Sequence, residues 1–241
     1  MIPVHIALVD DTASIEHQTL AEVAGALNAQ IQQDFAPVYR VAATVGAYPR
    51  APANTWAVHI KRQLDEPGAL GYHADAHNQP FARVELTDGW PATVSHEVLE
   101  MLADPFGNRL HGGRVPQGID HHDVGLPRFT SHVSYLLEAC DPCEATSYEV
   151  GGVALSDFLV PAGWYRANPA PGHAYSHAGG CTQPRQVADG GYVSFAHGPS
   201  WFQVFNEAGA LQLQSIGTFN RGLYASLREF TDYHARTFRA R

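Results

Sequence analysis

Cysteine and basic residues are both scarce in this chain, and each scarcity removes a class of protein from consideration. Only three of the 241 residues are cysteine. Three cannot close a disulfide framework, so the expected setting is a reducing one and the fold must rest on a core. Fifteen lysines and arginines stand against twenty-four aspartates and glutamates, a formal net charge of -9 with histidine neutral. An acidic surface repels phosphate backbones, which excludes nucleic acid as the expected partner. No run approaches the ~20 apolar residues of a membrane span, so no membrane is expected either. The segment Met1 to Asp11 has no basic region and no small-residue cleavage site, and a cytoplasmic protein is expected. Charged residues are few, at 16%, and hydrophobic ones reach 45%, which excludes a disordered acidic tail and supplies enough apolar surface for a core. Gly-x-Ser-x-Gly, the phosphate-binding loop and the dinucleotide-binding glycine pattern are all missing, which argues against a serine hydrolase or a nucleotide enzyme. No pattern sets an oligomeric state.

Histidine, by contrast, is plentiful at fourteen residues. It is the commonest metal ligand and the usual acid or base at neutral pH. The apolar run from Ile2 to Val9 reads as a buried strand, and Leu20, Val23, Ala24, Leu27 and Ile31 recur at helical spacing, with Asp34 to Pro37 as the stop. Strands are expected over Val38–Tyr48, Trp56–Lys61, Gly71–Asp75 and Phe81–Leu86, the last two around an Asn78 to Pro80 loop. A helix is expected to start at Asp88-Gly89-Trp90-Pro91, with proline near its first turn, to run to about Ala103 and to stop at Asp104-Pro105, because proline disfavours helix in the residue before it. Phe106–Phe129 is rich in Gly, Pro, His and Asp and reads as a long loop. Ser131–Ala139 is one more helix or strand. Short strands are expected at Tyr148–Val153, Tyr192–Ala196 and Trp201–Phe205, and an amphipathic helix over Leu223–Phe238.

The segment richest in chemistry is Thr93 to Pro105, with His96, Glu97 and Glu100. His96 and Glu100 are four apart, so they leave one helix face and can reach one ion. Glu97 is rotated from His96 by about 100°. Val94, Val98, Leu99, Met101 and Leu102 make most of the remaining surface apolar. A buried helix that carries His, Glu, Glu and Asp must compensate them, and a metal ion does so directly.

The His-Glu-x-x-Glu run resembles the His-Glu-x-x-His helix of the zincin metallopeptidases, and Ser95 to Pro105 resembles a stretch shared by a group of uncharacterised bacterial proteins. The resemblance implies a zincin-like core over residues 1–145, of order strand, helix, strands, active-site helix. It implies His96 as a metal ligand, Glu97 as the general base, and Glu100 in the slot of the second histidine. Glutamate there adds negative charge and hardens the site, so iron, manganese or calcium suit it as well as zinc. The extended motif of the metzincins is absent, since Phe106 occupies the place of their third ligand.

A further ligand is expected from Tyr135 to Glu144. Glu138, Asp141 and Glu144 are spaced by three and share one face if that segment is helical. Glu138 and Asp141 are the expected metal ligands there; Asp104, Asp141 and Glu144 offer a calcium site instead. Cys140, Cys143 and Cys181, with His173 and His177, have the residue types of a zinc knot, against buried structural thiols. His73 is weighed as a substrate or metal contact against a half-exposed strand residue. His121-His122-Asp123 is weighed as a ligand set against a solvated loop. Tyr148 and Tyr165 are candidates for an oxyanion-stabilising phenol.

The expectation is an α+β protein, with a zincin-like core and an irregular, β-containing C-terminal subdomain over residues 146–241. Its expected function is metal-assisted hydrolysis of a peptide or small amide substrate, zinc being the first choice of ion. A non-haem iron enzyme on one histidine and two carboxylates is the rival, as is a binding protein of the same architecture without catalysis.

Overall fold

The computed structural model describes residues 3–66, 68–120, 122–125 and 132–239. In chain order the elements are β1 (Val4–Asp10), α1 (His17–Ala29), a π-helical turn (Gln30–Phe35), α2 (Ala36–Tyr39), β2 (Ala43–Ala47), β3 (Trp56–Lys61), β4 (Gly71–Ala76), β5 (Gln79–Glu85), α3 (Trp90–Ala103), β6 (Leu110–Arg114), β7 (His132–Leu136), a 3-10 turn (Asp141–Cys143), β8 (Ser147–Val150), β9 (Val153–Ser156), α4 (Pro161–Trp164), β10 (Tyr192–His197), β11 (Ser200–Glu207), β12 (Ala210–Thr218) and α5 (Leu227–Arg239). The protein is α+β, as its residue pattern predicts. Two compact units divide the chain: Met1–Phe106 with Ser147–Ser156, and Gly107–Thr146 with Asp157–Arg241.

The first unit is built on a sheet of order β2-β1-β3-β5-β4. β1, β2, β3 and β5 run parallel, while β4 at one edge pairs antiparallel with β5. Four successive residues of β1, Ile6 to Val9, are buried, the pattern of a parallel strand covered on both faces. The β4–β5 turn places His77 and Asn78 at φ 54° and 62°, the left-handed pair of a tight two-residue hairpin. α1 packs on β1 and β2, and α3 on β4 and β5; both helices also contact β9 of the β8–β9 hairpin. The expected order of strand, helix, strands and helix is present.

The first helix, β6 and the β8–β9 hairpin differ from expectation, as do β12, a strand where none is expected, and α5, which begins at Leu227 instead of Leu223. The first helix does not stop at Asp34 to Pro37. A π-helical turn resets the register so that Pro37 falls in the first turn of α2, where its missing N–H costs nothing, and the run ends at Arg40 with φ 56°. This shortens β2 at its start. β6 lies within the expected long loop; only Gly113 of its five residues is buried, so no apolar alternation marks it. The expected strand over Tyr148–Val153 is instead a hairpin, turned by Gly151 and Gly152 at φ 61° and 84°.

The second unit has an antiparallel sheet of order β12-β11-β10-β7-β6. Its core gathers Tyr135, Leu159, Trp164, Phe195 and Val204. α5 seats Phe230 against Trp201 and Ile216, and Ala235 against Tyr192 and Phe205. No helix among the described residues is long and apolar enough to cross a membrane.

Candidate metal centre

α3 starts with Pro91 in its first turn and ends at Asp104, just before Pro105. Ten of its fourteen residues are buried, Glu97 and Glu100 among them. Its rotation about its own axis is fixed from behind by a buried ring of hydrogen bonds. The Ser95 hydroxyl donates to Gln30 Oε1 at 2.8 Å and accepts from the Ser156 N–H at 3.2 Å, while Gln30 Nε2 donates to the Ser156 carbonyl at 3.0 Å. Gln30 opens the π-helical turn, so the irregularity in the first helix delivers the amide that holds α3.

With that face anchored, the next residues project toward β4. His96 Nε2 lies 3.3 Å from Glu100 Oε2, the i,i+4 approach that the spacing predicts. Glu97 turns to the edge strand, where His73 Nδ1 meets its Oε2 at 3.0 Å; the same nitrogen is 3.9 Å from Glu100 Oε2. The side chains of His73, Glu97 and Glu100 are 2%, 7% and 4% exposed, against 15% for His96. His73 is therefore fully enclosed and not the half-exposed strand residue that is the alternative to a site role.

His73, Glu97 and Glu100 form a buried group with one donor atom each, all within 4.8 Å of one another, and could hold a metal ion. Donors bound at about 2.0–2.2 Å to one ion sit about 3–3.5 Å apart, so the 3.0 and 3.9 Å separations from His73 to the two carboxylates need only small side-chain adjustment. The charge balance points the same way. Two ionised carboxylates brought together out of water repel each other, and neutral imidazoles do not cancel that charge; a divalent cation does.

β4 also approaches Glu97 through Gly71, two residues before His73 and on the same side of the strand. A Cβ there would lie 2.6 Å from Glu97 Oε1 and 2.8 Å from Thr93 Cγ2. Gly71→Ala is therefore expected to push the Glu97 carboxylate away from His73 and to cost about 1–3 kcal/mol of stability, read from urea unfolding midpoints.

Glu138, in the second unit, is buried and gripped at both oxygens by Arg228, with Nε to Oε1 at 2.9 Å and Nη2 to Oε2 at 3.0 Å. That pairing accounts for its burial without a cation. Asp141 is buried at the start of the 3-10 turn Asp141–Cys143. Glu138, Asp141 and Glu144 do not share a helical face, because this single turn around Pro142 is the only helical structure in the segment; Glu144 pairs with Arg239. Cys140, Cys143 and Cys181 are buried thiols outside any disulfide, with Cys143 pushed well up by its hydrogen bond to Cys181 and by burial. Among the described residues no cysteine belongs to a group close enough to hold a metal, and His173 and His177 are exposed. Tyr148 donates to Asp34 Oδ2 at 2.9 Å, and Tyr165 is buried with its ring stacked on His111 at 3.7 Å. His122 and Asp123 are exposed, while His121 lies outside the described residues. The place of His73 in the cluster is hidden by its distance along the chain from Glu97 and Glu100; its only signal is a histidine on the expected strand Gly71–Asp75.

No protein-family model, curated protein or solved structure matches the chain.

Proposed function

We propose that the first unit is a metal-dependent hydrolase acting on peptide or small amide bonds. The observation that carries this reading is the burial of Glu97 and Glu100 together, with His73 at 3.0 and 3.9 Å and His96 at 3.3 Å from their oxygens. The resemblance of the His96-Glu97-x-x-Glu100 run to the zincin helix supports it. So do the strand, helix, strands and helix order of the first unit and the edge position of β4.

In this reading His96 and Glu100 hold a divalent ion, zinc being the first choice. When bound, the ion supplies Lewis acidity to the substrate carbonyl. Glu97 takes a proton from the attacking water and returns it to the leaving amine, as a carboxylate beside the reacting bond can. Enclosure of Glu97 and Glu100 lowers the local dielectric and strengthens each of these interactions. A second reading rests on the composition of the buried group: one histidine and two carboxylates match the donor set of non-haem iron sites.

Elemental analysis of protein purified without a metal-affinity tag separates the readings. About one zinc per chain, retained by Glu97→Gln while turnover of a peptide pool falls at least ~100-fold, is the expected result. Iron or manganese at that stoichiometry would favour the redox reading. Absence of bound metal, or full turnover by Glu97→Gln, would overturn the hydrolase.

A further inference from the structure

We propose that β4 acts as a clamp on the general base: of the two roles open to the buried His73, binding an ion together with Glu97 and Glu100 or positioning Glu97, it takes the second, and neither it nor Gly71 is a metal ligand. The inference rests on the reading above, in which His96 and Glu100 hold the ion. Its basis is that one strand bonds to one oxygen of a carboxylate and leaves room for the other. His73 Nδ1 donates to Oε2 at 3.0 Å, and Gly71 leaves a notch for Oε1, where any Cβ would stand at 2.6 Å. Residues 71 and 73 alternate to the same side of the strand, so donor and notch face α3 together. The alternative contact of His73 is longer, at 3.9 Å to Glu100. The 3.0 Å separation is that of an ordinary N–H···O hydrogen bond, in the tautomer that puts the proton on Nδ1, with the nitrogen donating and the carboxylate accepting.

Such a contact fixes the direction in which Glu97 presents its basic lone pair. A glutamate has three rotatable side-chain bonds, and a helix alone does not select among their rotamers. The ring of Ser95, Gln30 and Ser156 sets the helix; His73 and the Gly71 notch then set the carboxylate. Held in this way, Glu97 stays a base instead of swinging in as a further ligand, which keeps a coordination position open for substrate.

The test uses the full chain stripped of metal and titrated with Co(II), whose visible absorption reports its ligand set. It then uses acetohydroxamate, a chelator whose hydroxyl proton passes to a neighbouring base. Wild type, His73→Ala and His73→Gln are expected to bind one Co(II) with superimposable spectra and affinities within about threefold of one another, whereas His96→Ala loses at least ~100-fold. Acetohydroxamate affinity for the Co(II) form is expected to fall about tenfold in His73→Ala and to recover in His73→Gln, whose amide can still donate to Oε2. Loss of Co(II), or a changed spectrum, in both His73 variants would make His73 a ligand and overturn the proposal. So would unchanged acetohydroxamate affinity in His73→Ala. Failure of the wild type to bind Co(II) would overturn the metal reading itself, an outcome distinct from the other two.

Discussion

Replacing Arg228 with methionine is expected to lower the unfolding free energy by about 3–5 kcal/mol. The guanidinium is 4% exposed and makes a two-pronged contact with Glu138, itself 6% exposed. Methionine fills much of the same volume and supplies no charge, so the Glu138 carboxylate is left buried with its strongest partner gone. Tyr165 is part of the consequence: burial, and then the Glu138 charge, already push its phenol up, which places the carboxylate close enough for an uncompensated charge to be felt. The main-chain bonds at the start of α5 are kept by methionine: the residue 228 N–H donates to the Gly107 carbonyl at 3.0 Å and Asn108 Oδ1 accepts from the Leu227 N–H at 3.1 Å. Arg228→Met combined with Glu138→Leu is expected to recover most of the loss, because a buried ion pair replaced as a whole by apolar groups costs little. Urea unfolding of the two variants checks both statements; a single-variant loss under about 1 kcal/mol would mean that the pair contributes little.

The second large effect concerns the first unit and depends on the proposed ion. With free Zn(II) at about 1,000 times its dissociation constant, the bound ion is expected to add about 4 kcal/mol to the apparent stability, all of which EDTA removes. Glu100→Ala is expected to abolish that dependence on metal. In EDTA the same variant is expected to equal or exceed the wild type, since one of two enclosed carboxylates is gone and their mutual repulsion with it. A wild-type unfolding midpoint indifferent to both Zn(II) and EDTA would remove the ion from the account of this unit.

Much of α3 could be read from the residues alone. Its ends follow from Pro91 and Pro105, its burial from the density of Val, Leu and Met, and the His96–Glu100 approach from their spacing. β3 occupies the expected residues because both of its ends are marked by polar turns. What the sequence could not show were contacts made across long stretches of chain. Glu138 has the spacing of a ligand, but its partner Arg228 lies 90 residues further on. His73 and Glu97 are 24 residues apart, and only the sheet order, with β4 at the edge beside β5, brings them together. β6 and β12 are defined by their partners more than by their own burial; β12 buries only Ile216 among its nine residues. The π-helical turn carries no composition of its own, since Pro37 after it reads as a stop whether the chain ends its helix there or resets it.

The hairpin of residues 147–156 gives the first unit a timetable. Its contacts with α1 and α3 belong to a unit whose other residues all precede 107, so the chain makes a forty-residue excursion, 107–146, before it returns. Closing a loop of that length costs on the order of 3 kcal/mol in chain entropy before the returning strands are repaid by packing. A nascent chain that has emerged only to residue 140 holds every strand of the first sheet yet lacks Ser156, which completes the hydrogen-bonded ring behind α3. His73, His96, Glu97 and Glu100 are thus synthesised early, and α3 is secured late, after the first forty residues of the second unit have been made.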